Sequence, residues 1–142
     1  MSARRPRLLV VDDEVGLQKL MGRHAERVGF DVTIAESATE AFELARAVGP
    51  DAILLDLHLP DGSGIDVLAR LKAEPKTADI PVVVWSGSDV EEGRSKALGA
   101  GALDYFEKNA LKEIVTRLAL LLQLEPPRPT EPPLSSETKL KR

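Results

Sequence analysis

Five polar side chains close four apolar runs in this 142-residue sequence. Asp12 and Asp13 follow Leu8-Leu9-Val10-Val11, and Asp56 follows Ala52-Ile53-Leu54-Leu55. Ser86 follows Val82-Val83-Val84-Trp85, and Lys108 follows Tyr105-Phe106-Glu107. If these runs are strands of one parallel sheet, all five side chains meet at its carboxyl edge, where open α/β sheets bind ligands. Three carboxylates crowded together repel one another, so the cluster needs a cation to stay ionised. The expected chemistry is a Mg²⁺ site with one carboxylate free to act as a nucleophile.

The elements that must position these residues alternate five times between short apolar runs and helical patterns. Leu8 to Val11 reads as a strand, and Gly16 to Val28 as a helix with Leu17, Leu20, Met21, Ala25 and Val28 at helical spacing. Asp31 to Ala35 reads as a second strand. Ser37-Ala38-Thr39-Glu40 forms a capping box opening a helix that Gly49-Pro50 ends. Ala52 to Asp56, apolar until its last residue, suits a strand buried on both faces. A Pro60-Asp61-Gly62 turn leads into a helix over Ser63 to Ala73, with Ile65, Leu68, Ala69 and Leu71 facing inward. After Pro81 come a fourth strand, a weak helix over Val90 to Leu98, a strand over Asp104 to Glu107 and a Leu-rich helix over Ala110 to Leu124. Five β-α repeats of this length predict a doubly wound parallel sheet, since parallel neighbours require right-handed helical crossovers.

Composition suits one domain with tails: 43% hydrophobic and 30% charged residues, net charge −4. That balance carries no electrostatic footprint for nucleic acid. Arg4, Arg5 and Arg7 and the terminal Lys139, Lys141 and Arg142 read as solubilising clusters. With no cysteine, disulfides and thiolate metal sites are excluded. The N-terminus lacks a signal peptide, and no apolar stretch approaches the ~20 residues that span a bilayer. A cytoplasmic location, away from membranes, is expected. Residues 1–6 read as an extension and 7–124 as the domain. From Glu125 to Arg142 the chain carries Pro126, Pro127, Pro129, Pro132 and Pro133 and no aromatic residue. Such a segment cannot bury enough apolar surface to offset its ordering entropy, so a disordered linker or tail is expected.

The order of these residues, with the segment Asp56-Leu57-His58-Leu59-Pro60-Asp61-Gly62-Ser63-Gly64, resembles the receiver domain of two-component response regulators from about Arg7 to Leu124. The resemblance implies a flavodoxin-like (βα)₅ sheet of strand order 2-1-3-4-5. It implies that Asp13, Asp56 and the backbone carbonyl of His58 ligate Mg²⁺, while Asp12 holds a metal-bound water. Asp56 is then the phosphoacceptor, its carboxylate attacking phosphorus to give a mixed anhydride. Lys108 and the metal neutralise the phosphoryl oxygens, and the Ser86 hydroxyl donates to one of them. Tyr105 is the aromatic switch that rotates inward as Ser86 moves, altering the face of the fourth helix, fifth strand and fifth helix. The implied donor is a histidine kinase or histidine phosphotransfer protein, and the implied recipient an output module or target protein.

Taken singly, each residue has a plainer role. An Asp after a strand is often a helix N-cap, and a lone lysine is usually solvated. Two positions depart from the family pattern: Asn109 stands where proline usually follows the lysine, and Ser86 replaces the commoner threonine. A cis peptide before a non-proline costs about 3–4 kcal/mol, so Lys108 either meets that cost or sits differently; Asn109 could instead cap the last helix. The alternatives are a phosphorylation-independent binding domain and a Mg²⁺-dependent phosphatase using an aspartyl-phosphate. The phosphatase reading lacks the second Asp two residues after the nucleophile, since position 58 is His. A receiver would not be an enzyme beyond its own phosphotransfer and dephosphorylation.

Overall fold

A computed structural model describes residues 5–87 and 90–122. Five strands form one parallel sheet: β1 (Arg7–Val11), β2 (Asp31–Ala35), β3 (Ala52–Asp56), and, after a short hairpin of β4 (His58–Leu59) and β5 (Gly62–Ser63), β6 (Val82–Ser86) and β7 (Asp104–Glu107). The order β2-β1-β3-β6-β7 is the expected 2-1-3-4-5 order, because the hairpin stands outside the main sheet. The helices are α1 (Val15–Arg27), α2 (Ala38–Val48), α3 (Gly64–Ala73), α4 (Val90–Gly99) and α5 (Leu111–Leu121). None among the described residues is long and apolar enough to cross a membrane.

Strand alternation splits the core in two. Leu9, Val11, Ile53, Leu55, Val82 and Val84 pack with buried residues of α2, α3 and α4. Leu8, Val10, Ala52, Leu54, Val83 and Trp85 pack with those of α1 and α5. Because β1, β3 and β6 are covered on both faces, both alternating sets must be apolar, and the strands read as unbroken hydrophobic runs. Each run ends where the strand leaves this double cover, at the edge that carries the polar residues.

Several local expectations change. Ser37 Oγ accepts from the Glu40 N–H at 3.1 Å, but the Glu40 carboxylate takes the Glu36 N–H at 2.7 Å, one residue before the cap. The N-terminus of α2 gains a second acceptor from a distance: Asp61 takes the N–H groups of Ala38 at 2.6 Å and Thr39 at 3.1 Å, and the Thr39 hydroxyl at 3.0 Å. On α3, Ala69 faces solvent and Val67 is buried, since Gly64, Val67, Leu68 and Leu71 follow the helical repeat that meets the sheet. Asn109 does not cap α5; Ala110 holds that position without a side-chain cap. Arg5 and Arg7 do more than solubilise. Arg5 donates to the carbonyls of Glu26, Gly29 and Phe30 at the end of α1, and Arg7 to Val48 at the end of α2. The Pro-rich segment from Glu125 lies outside the described residues.

Candidate functional site

Parallel register brings the sequence-distant polar residues together. Val11 pairs with Leu55 across β1 and β3, Asp56 with Trp85 across β3 and β6, and Ser86 with Glu107 across β6 and β7. The next residues along β1 and β7 are Asp12 and Lys108, so all of them emerge on one edge. Asp12, Asp13 and Asp56 each offer a carboxylate oxygen, and these oxygens lie within 4.8 Å of one another. Asp12 and Asp56 are buried, at 0% and 2% exposure, whereas Asp13 is exposed.

Lys108 bridges the buried pair. Its Nζ lies 2.7 Å from Asp12 Oδ2 and 3.1 Å from Asp56 Oδ2. The Lys108–Asn109 peptide is trans, as are all the described peptides. The loop is held instead by backbone bonds, Lys108 N–H to the Ser86 carbonyl at 3.1 Å and Ala110 N–H to Glu107 at 3.1 Å. Asp56 Oδ1 accepts from the His58 N–H at 3.2 Å, and Asp12 Oδ1 from the Glu14 N–H at 2.8 Å. The Asp12 carbonyl accepts from the buried Gln18 amide at 2.6 Å. Asp12 Oδ2 is sealed from solvent and, despite its close ion pair with Lys108, lacks an aligned hydrogen-bond donor.

Burial pushes the Asp56 carboxyl above its ordinary range, and the Asp12 charge adds to that rise. The His58 N–H and the Lys108 ammonium oppose it. For Lys108 burial works against the charged form, but its close contact with Asp12 and the charges of Asp56 and Asp12 outweigh it and hold the ammonium above its ordinary value. With Asp13 included, three carboxylates face one ammonium, an excess of two negative charges among hard oxygen donors. That excess, and the buried Asp12 oxygen without an aligned donor, fit a divalent hard cation such as Mg²⁺.

Glycines set two close approaches. A Cβ on Gly64 would run into the Asp56 carbonyl oxygen and stand 2.8 Å from Leu57 Cα, so only glycine lets α3 start against the end of β3. On α4, a Cβ at Gly93 would lie 2.8 Å from the Tyr105 hydroxyl and 3.3 Å from Leu57 Cδ1. Tyr105 is buried at 1% exposure, with the Arg94 guanidinium 5.5 Å from its ring centroid. Ser86 is fully buried at the end of β6, while His58 is exposed and adjoins Asp56 through its backbone. Sequence reasoning named all seven of these candidate positions and read Trp85 as core, where it lies, but gave no part to Gln18, to the Asp61 cap or to the approach of Gly93 to Tyr105. Gln18 alone left a signal, a polar residue between Leu17 and Met21 on the buried side of α1.

Comparison with known proteins agrees with this architecture. Residues 8–119 match the sequence model of the response regulator receiver domain. The chain is 38% identical over 126 residues to the phosphate regulon transcriptional regulatory protein PhoB of Escherichia coli, covering 88% of this chain and 55% of that protein. It therefore spans about half the length of such curated relatives. Among solved structures, the non-phosphorylated HemR receiver domain of Leptospira biflexa superposes with TM-score 0.75 at 30% identity, over 87% of this chain and 99% of that one. A response regulator protein of Burkholderia pseudomallei, described with a phosphorylated aspartic acid, a calcium ion and citrate, superposes with TM-score 0.73 at 30% identity, over 83% and 71%.

Proposed function

Given that the chain belongs to the response regulator receiver domain family, we propose that it is a phosphoacceptor switch with Asp56 as the accepting residue. The single observation carrying this reading is the Lys108 ammonium set between the buried Asp12 and Asp56 carboxylates at the carboxyl edge of the sheet. The donor is a histidine kinase or histidine phosphotransfer protein. An Asp56 oxygen attacks phosphorus; the P–O bond forms as the donor's P–N bond breaks, and the donor imidazole leaves. The His58 N–H orients the nucleophile, and Lys108 transfers its ion pairing from the carboxylate to the incoming phosphoryl oxygens, with the Ser86 hydroxyl donating to another. Asp13, Asp56 and the His58 carbonyl would hold Mg²⁺, with Asp12 holding a metal-bound water. When bound, the ion neutralises phosphoryl charge and fixes the reacting group. The solved relative with a phosphorylated aspartic acid supports the same assignment.

The response passes to the face made by α4, β7 and α5, through Ser86 and Tyr105. The buried ring of Tyr105 is the inward member of an inward–outward pair, and phosphoryl binding weights that pair toward it. Residues 7–124 act as the switch, in the cytoplasm, and the Pro-rich segment links it to an output module. The test is intact-mass spectrometry after incubation with acetyl phosphate and Mg²⁺. One phosphoryl adduct is expected, absent from Asp56→Asn; an adduct that persists in that variant places the nucleophile elsewhere.

A further inference from the structure

Lys108 carries a long stem of several rotatable bonds on a loop whose next residue is Asn109, and α5 begins beside it without a side-chain cap. Holding such a stem in one geometry costs rotamer entropy. Beneath it lies Trp85, the single tryptophan of the chain, fully buried. Lys108 Nζ stands 5.5 Å from the Trp85 ring centroid, inside the range of a cation–π attraction. The indole N–H donates to the Val11 carbonyl, a long bond of 3.5 Å. That carbonyl belongs to the peptide leading into Asp12, two strands away across β3. One rigid side chain thus touches both the strand end that carries Asp12 and the ammonium that pairs with Asp12.

We propose that Trp85 is a positioning residue that holds the Lys108 ammonium over the Asp12–Asp56 pair, its ring attracting the cation while its N–H ties the site floor to β1. The proposal rests on the reading that Lys108 receives phosphoryl charge. Volume filling alone does not explain the arrangement: Val83, Ile114, Val115 and Leu118 pack the same face, and none of them offers a cation a π surface or Val11 a donor.

The full chain is compared with Trp85→Leu and Trp85→Phe by two measurements. NMR of the Lys108 ε-methylene protons reports the ring directly, through its ring-current shift. Beryllofluoride titration with Mg²⁺ reports phosphoryl-site affinity. Trp85→Leu is expected to move the Lys108 resonances toward those of a solvated lysine and to weaken beryllofluoride binding by about three- to tenfold, the scale of a partly desolvated cation–π contact. Trp85→Phe keeps a ring and is expected to recover most of both. Unchanged lysine shifts in Trp85→Leu, or equal losses in the Leu and Phe variants, overturn the proposal, the second because packing alone would account for it. Should Trp85→Leu fail to fold, Trp85→Phe decides: Lys108 shifts already at solvated values refute positioning by the ring. A parent protein that binds no beryllofluoride removes the phosphoacceptor reading, and the lysine shifts still judge the role of Trp85.

Discussion

Asp12, Asp13, Asp56 and Lys108 are legible in the sequence because each ends an apolar run, a purely local mark of a strand leaving a covered sheet. Their energetic relation is not local. Two buried carboxylates share one ammonium, so the site is only partly neutralised, and Asp13 adds a third charge from the exposed side. Millimolar Mg²⁺ is therefore expected to raise the melting midpoint, since an ion that binds only the folded state stabilises it by mass action. Asp13→Asn removes one charge and one ligand oxygen, and its Mg²⁺-dependent shift is expected to fall to a small fraction of the parent's. Equal shifts in the two proteins would contradict the metal site. Gln18 and the core residue Trp85 have the opposite character from the carboxylates: each meets the edge by a bond to a backbone carbonyl, Asp12 and Val11 respectively. Nothing in residue type announces such a bond.

Among the elements, β3 and α4 meet their neighbours through glycine, with different consequences. Gly64 opens α3 against the backbone of Asp56 and Leu57, which cannot give way. Gly64→Ala is expected to destabilise the fold by about 2–4 kcal/mol, as strained overpacking does. Gly93 faces the end of an aromatic ring, which can swing aside. Alanine improves helix propensity by up to about 1 kcal/mol, so Gly93→Ala is expected to leave global stability within about 1 kcal/mol of the parent. Its effect should instead be to move Tyr105 outward. Urea titration separates the two variants, and aromatic NMR of the single tyrosine reads its environment; an unmoved Tyr105 in Gly93→Ala would mean that α4 yields instead. The weak α4 pattern was legible in the sequence, but its use of glycine to admit Tyr105 was not, because the two positions meet only after β7 has paired with β6.

At the scale of the molecule, the loop after β3 is tied to the start of α2, on the same side of the sheet. Asp61 caps α2 from 23 positions further along the chain, and those N–H donors hold its carboxyl below the usual carboxylate range. A carboxyl depressed on folding contributes stability that is present above its unfolded pKa, about 3.9, and is lost as pH falls through the lower folded value. The parent is therefore expected to exceed Asp61→Ala in urea midpoint at neutral pH, with the gap narrowing only below about pH 4. A gap that stays constant into acid would show that the ionised carboxylate is not the cap.

The strands, their order along the chain and the residues that close them were determined by local composition: a strand covered on both faces must be apolar throughout and can turn polar only where the cover ends. The switch from unbroken apolar runs to helical spacing placed the crossovers, and a parallel sheet with right-handed connections follows from them. Tertiary structure decided which partners meet. The lysine pairs with Asp12 as well as Asp56, Trp85 reaches Val11 across 74 positions, Asp61 rather than Glu40 supplies the second cap of α2, and Ala69 turns outward while Val67 turns in. Each depends on strand order and register, which a one-dimensional pattern does not encode. Physically, burial of apolar runs is favourable against any apolar neighbour, whereas a cation, an indole N–H or a carboxylate gains only at one distance and angle, set once the whole sheet has assembled.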